Sequence, residues 1–206
     1  MTRRLRLLSR AMALALAFVA TDAAAQQAPS VQVRGEVSSV DGRQLTIQTG
    51  DGQVVRVGLA PDARIFAMAP AKAEAIGPEA VVGVVGPSRT DERITASTVV
   101  IFSDALNGPS EGYFTWDPDP DSTLRHGSVR SAEAGPQGRV ITLAYPQGGA
   151  TAVIPPEAAV VTLEPGDPSL LRQGANVFIP SAERHQDGSF AAGALAVGRN
   201  GFMPPM

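Results

Sequence analysis

Five short patterns recur in the same order along this chain, the second set displaced from the first by about 95 residues. Arg34-Gly35-Glu36-Val37 answers to His126-Gly127-Ser128-Val129, and Leu45-Thr46-Ile47 to Ile141-Thr142-Leu143. Pro61-Asp62-Ala63-Arg64-Ile65 answers to Pro156-Glu157-Ala158-Ala159-Val160. Ala80-Val81-Val82-Gly83-Val84 answers to Ala175-Asn176-Val177-Phe178-Ile179, and Ile94-Thr95-Ala96 to Phe190-Ala191-Ala192. One such match could arise by chance, but a full set in register argues for duplication. The expected fold is therefore one small architecture made twice.

Each copy reads as short strands. Val31, Val33 and Val37 fall on one face of a period-2 strand. Leu45 and Ile47 alternate with Thr46 and Gln48, Gly50-Asp51-Gly52 turns the chain, and Val55, Val57 and Leu59 alternate beyond it. This is a hairpin signature. Ala80 to Val85 is nearly all apolar, as in a strand covered on both faces. Asp91-Glu92-Arg93 is a polar turn before a last strand from Ile94 to Phe102. The second copy repeats the plan from Val140 to Val197, with turns at Gln147-Gly148-Gly149 and His185-Gln186-Asp187-Gly188.

Five strands in so short a stretch cannot bury the apolar face of a flat sheet, so each copy is expected to curl into a closed barrel without free edges. Pro70 to Gly77 is alanine-rich with proline first and glycine last, which predicts a one- or two-turn helix. Pro168 to Gly174 takes its place in the second copy. A helix between third and fourth strands is the OB-fold arrangement. The predicted class is all-β, two tandem five-stranded OB-like barrels, with boundaries at 26–102 and 127–199. Residues 103–126 are a linker rich in proline, aromatic and acidic residues, which predicts a packed junction, and 200–206 form a tail.

These motifs carry a resemblance. Gly-x-Val, Leu-Thr-Ile, Val-x-Val, a short helical stretch, Val-Gly-Val and Ile-Thr-Ala-x-x-Val follow one another through residues 31–102, and more weakly through 127–198. The order is similar to that of a family of bacterial exported proteins of unassigned function built from repeated OB-like β-domains. Glu111-Gly112, Trp116-Asp117, Gly198-Arg199-Asn200-Gly201 and Pro204-Pro205-Met206 resemble members of that group as well. The resemblance implies fold and compartment, and it supplies no catalytic residues.

The leader points to the same compartment. Arg3, Arg4, Arg6 and Arg10 precede the apolar run Ala11–Ala20, and Ala23-Ala24-Ala25 offers small residues for cleavage before Gln26. That is the three-part secretory pattern, with an apolar run too short to span a bilayer. The pair Arg3-Arg4 hints at a twin-arginine signal, but Arg6 and Leu7 fit the general secretory route better. Residues 1–25 are therefore expected to be a signal peptide and the mature protein periplasmic or secreted. The chain has no cysteine, which excludes disulfides, thiolate metal sites and cysteine nucleophiles. Removing four Arg and one Asp from 17 basic and 20 acidic residues leaves 13 and 19, a net of −6. With Lys72 the single lysine, a nucleic-acid partner is not expected.

The linker holds the residues with most to offer a ligand. Tyr113, Phe114 and Trp116, the single tryptophan, crowd together beside Asp117. Trp116 could stack on a sugar ring or similar ligand with Tyr113, Asp117 and His126 nearby, or the aromatics could plug the junction between barrels, their commoner use. Asp117-Pro118-Asp119-Pro120-Asp121 resembles the opening of a calcium loop. It places Ser122 where glycine is needed and Ser128 where the closing glutamate belongs. Gly108-Pro109-Ser110-Glu111-Gly112 matches a serine nucleophile elbow without the strand-to-helix setting that makes one. His126 and His185 have no metal-ligand spacing and read as surface residues. No metal or cofactor is expected. The favoured reading is a non-enzymatic module binding a small molecule, glycan or envelope protein. A structural or assembly partner comes second, and a hydrolase using Ser110 last.

Overall fold

The computed structural model describes residues 30–87, 93–106, 112–115, 121–146 and 148–205. It is all-β: among the described residues 67% lie in strands, and no helix reaches seven residues. In chain order the strands are β1 (Ser30–Asp41), β2 (Gln44–Thr49), β3 (Val54–Pro70), β4 (Val81–Pro87), β5 (Arg93–Thr95) and β6 (Thr98–Phe102). There follow β7 (Gly112–Thr115), β8 (Ser122–Gly135), β9 (Gly138–Tyr145), β10 (Gly148–Ile154), β11 (Ala159–Pro165), β12 (Asn176–Arg184) and β13 (Phe190–Gly198).

The alternation read from the sequence sets the inward faces. Val33, Val37, Leu45, Ile47 and Val57 are fully buried, and the residues between them are mostly exposed. The expected continuous apolar strand is also present: in β4 every residue from Val81 to Gly86 is buried. Gly35 and Gly127 mark close crossings of neighbouring strands. A Cβ on Gly35 would run into the carbonyl of Gln48, and one on Gly127 into that of Ala144.

Ring closure departs from the sequence reading. The five-stranded barrel is β1-β2-β3-β13-β12, closed by antiparallel β1–β12 pairing and parallel β13–β3 pairing. Three of its strands come from the first copy and two from the second. Residues 26–102 therefore do not close a barrel on their own, contrary to the expectation of two tandem units. The pairings β8–β9, β9–β10, β10–β5, β6–β4 and β4–β8 run the same way with the copies reversed. β6 continues β5 after Ala96 and Ser97, whose neighbours Val153 and Val85 accept their N–H groups.

The physical cause is the length of β3. At about 3.3 Å per residue, its 17 residues far outrun its six-residue neighbour β2. Val54 to Gly58 pair with β2 and Val57 to Met68 with β13 in the barrel, while Phe66 to Pro70 run past the end of β2 and pair with β11 on the edge it leaves open. The chain is thus already beside the other set of strands when β4 begins. The predicted helix in this connection is a single 3-10 turn, Ala73–Ala75, with a matching turn at Pro168–Leu170.

The core has three parts. One fills the barrel around Val37, Ile47, Ile179 and Leu195, and one lies inside the second set of strands around Val82, Val99, Ile141 and Ile154. The third, Met68, Val100, Val161 and Ala196 with Phe66, Phe102, Leu163 and Phe202 against them, joins the outer faces of the two. The predicted linker 103–126 is not irregular throughout, since β7 and the start of β8 fall within it. No helix among the described residues is long and apolar enough to cross a membrane.

Candidate functional site

Strand pairing lines up outward-facing residues in rows. One row crosses the barrel as Arg34 (β1), Phe178 (β12), Ala196 (β13) and Phe66 (β3). A second crosses the other strands as Val81 (β4), Phe102 (β6) and Leu163 (β11), ending at Met68 (β3). The two rows meet on β3, where Phe66 and Met68 are two residues apart. Between them opens a cleft of about 200 Å³.

The cleft is wholly apolar. Phe66, Phe102 and Phe178 form its walls with Leu124 and Leu163, and Val100 and Ala196 form its floor. Each aromatic is there because its strand is apolar on both faces. Phe178 stands between inward-facing Val177 and Ile179, and Phe66 between Ile65 and Ala67. Gly83 holds the Phe102 side open. A Cβ at that position would lie 3.0 Å from the Leu124 side chain and 3.2 Å from the Phe102 ring.

Two arginines lie over aromatic rings that line the cleft. The Arg34 guanidinium carbon lies 5.5 Å from the centroid of Phe178, and that of Arg64 lies 5.6 Å from the centroid of Phe66. Such contacts contribute about 0.5–1 kcal/mol each at exposed positions. Partial burial lowers the Arg34 pKa from its ordinary value, yet a guanidinium stays protonated throughout the working range. Among the described residues neither Arg34 nor Arg64 forms an ion pair with a carboxylate. Glu183 lines the adjoining hollow with Arg64 without forming an ion pair with it.

The residues singled out from sequence are placed differently. His126 is not on the surface: it is 5% exposed, and its ring lies 4.6 Å from that of Phe102. It faces Gly83 across β4 and β8. Tyr113 lies on β7 opposite Arg125, and Gly112 opposite His126, so the chain does bring these backbones together. Trp116, Asp117, Asp119 and Ser110 lie outside the described residues. His185 is exposed in a turn whose Gly188 N–H donates to the His185 carbonyl at 3.0 Å. Among the described residues no group of three or more His, Asp or Glu side chains could hold a metal ion.

Sequence reasoning passed over the cleft because its aromatics are scattered. Phe66, Phe102 and Phe178 are far apart in the chain, and each looks like ordinary core in its own strand. The signal that was present is the unbroken apolar run Val177-Phe178-Ile179, which requires cover on both faces. Compared with protein-family models, curated proteins and solved structures, the chain matches none.

Proposed function

We propose that this protein is a non-enzymatic binding module, and that the cleft between the two sets of strands is its ligand site. The observation that carries the reading is a concave surface with three phenylalanines and no polar lining, kept beside solvent. Ligand sites are usually apolar hollows with a few placed polar groups, and here the rim arginines are those groups. The same reading takes the molecule as a strand-exchanged duplication. Two OB-like barrels each draw three strands from one copy and two from the other. In support, the ring order first-second-third-fifth-fourth and its one parallel pairing suit that fold. The secretory-type leader and the resemblance to exported repeat proteins favour the cell envelope as the place of work.

The test uses a neutral apolar fluorophore, N-phenyl-1-naphthylamine. Saturable enhancement at one site is expected with the wild-type protein. Ala194→Leu, which adds three carbon atoms at the cleft edge, and Leu124→Ser, which makes a wall polar, should each weaken it at least about 5-fold. Circular dichroism confirms that both variants fold. Absence of saturable binding, or binding unchanged in both folded variants, would overturn the reading.

A further inference from the structure

The rim of the cleft narrows the ligand. Arg34 begins the cross-strand row that ends at Phe66, and Arg64 lies two residues before Phe66, opposite Ala194 of β13. Each guanidinium lies over a ring that also lines the cleft. The stacking holds the positive charge at the apolar wall while leaving N–H groups for a ligand. The interior offers no donor or acceptor at all. A ligand matching this layout has an apolar body without polar atoms and a negative head at one end.

Volume decides between one chain and two. At roughly 30 Å³ for a water-sized group, about 200 Å³ holds six or seven such groups. That suits the tail of a short single-chain acid and is far too little for a two-chain lipid. Arginine in addition presents paired N–H donors in the geometry of a carboxylate. Resting on the binding-module reading above, we infer that the cleft takes a medium-chain carboxylic acid, its tail against Phe66, Phe102 and Phe178 and its carboxylate at Arg34 or Arg64.

The experiment titrates the full-length mature protein with octanoate, 1-octanol, octylamine and acetate by isothermal calorimetry, below any micelle-forming concentration. Octanoate should bind at least about 10-fold more tightly than octanol, and octylamine and acetate more weakly still. The double variant R34Q/R64Q should bring octanoate to within about 2-fold of octanol, with an unchanged circular dichroism spectrum and a melting temperature lowered by only a few degrees through loss of the two ring contacts. Equal binding of octanol and octanoate by the wild-type protein overturns the carboxylate assignment but leaves the cleft as a site. Octanoate preference that survives in R34Q/R64Q overturns the role of the two arginines and with it the proposal. Failure of every ligand, together with failure of the neutral fluorophore, removes both readings. Sedimentation with phosphatidylglycerol vesicles that octanoate does not compete away would point to a membrane surface and overturn the free-acid assignment.

Discussion

Val37 donates its backbone N–H to the carbonyl of Ala175, 2.8 Å away, although the two residues belong to different copies of the repeated pattern. The reciprocal bond, from Val129 to the carbonyl of Ala80, measures 2.9 Å. These bonds fasten the first long strand of each copy to the start of the penultimate strand of the other. The exchange makes neither half independent.

Truncation is the direct check. A chain ending at residue 106 keeps β1–β3 but lacks β12 and β13, so within one molecule it cannot close the barrel. Light scattering coupled to size exclusion should find it either unfolded or associated into dimers that supply the missing strands to each other. A folded monomer would contradict the exchanged pairing. The intact chain should melt in one calorimetric transition, because losing either ring removes strands from the other.

Met68 tests the core between the two sets of strands. It is fully buried on the outer face of β3 and packs with Val100, Val161 and Ala196. Met68→Ala should cost about 2–4 kcal/mol in urea unfolding, the usual result of emptying a closed site. A loss below about 1 kcal/mol would mean that the junction relaxes and contributes little.

Glu79 and Gly174 occupy matching bends ahead of β4 and β12, and both have left-handed backbone, with φ of 68° and 81°. Their N–H groups make matching bonds, to Val129 and Val37 carbonyls, at 2.8 Å. Left-handed geometry costs a residue with a side chain about 1–2 kcal/mol. Gly174→Ala should therefore destabilise by about 1 kcal/mol, and Glu79→Gly should stabilise by less than about 1 kcal/mol after the extra freedom of glycine in the unfolded chain is counted. Denaturant midpoints of the two variants check both signs.

Three turn aspartates set the acid limit. The Thr49 hydroxyl and then the Gln53 N–H hold the Asp51 carboxylate below its ordinary pKa, and Ser169 and Ser189 do the same for Asp167 and Asp187. The Ser169 and Ser189 N–H groups donate to their carboxylates at 2.8 and 2.9 Å. A lowered folded pKa contributes stability above the unfolded value, near 3.9, that is lost as pH falls through the folded value. Melting temperature should be level from pH 7 to about 5 in this respect and fall below about pH 4. In Asp187→Asn the fall should be shallower. An unchanged acid limb in that variant would show that the turn bonds do not contribute.

Surface charge should matter less. Arg199 and Glu164 form an exposed pair at 3.3 Å, each side chain 48% accessible. Solvent screening leaves such pairs with about 0–1 kcal/mol. Glu164→Gln should shift the melting temperature by no more than about 2 °C, even though the pair links β11 to the chain beyond β13.

By itself the sequence determined the all-β class, the inward faces of the strands and the turns between them. Period-2 alternation in stretches such as Val31–Val37 and Leu45–Leu59 admits one local answer, since a helix would scatter those residues around its circumference. Which strands share a ring was decided only in three dimensions. The alternation of β12 suits the edge of β1 as well as that of β8, because strand edges carry the same backbone donors and acceptors whichever copy they come from. The length of β3 past the end of β2 broke that tie. The cleft, likewise, exists because that excess length brings Phe66 and Phe178 against Phe102 and Leu163. No local pattern encodes a meeting of residues so far apart in the chain.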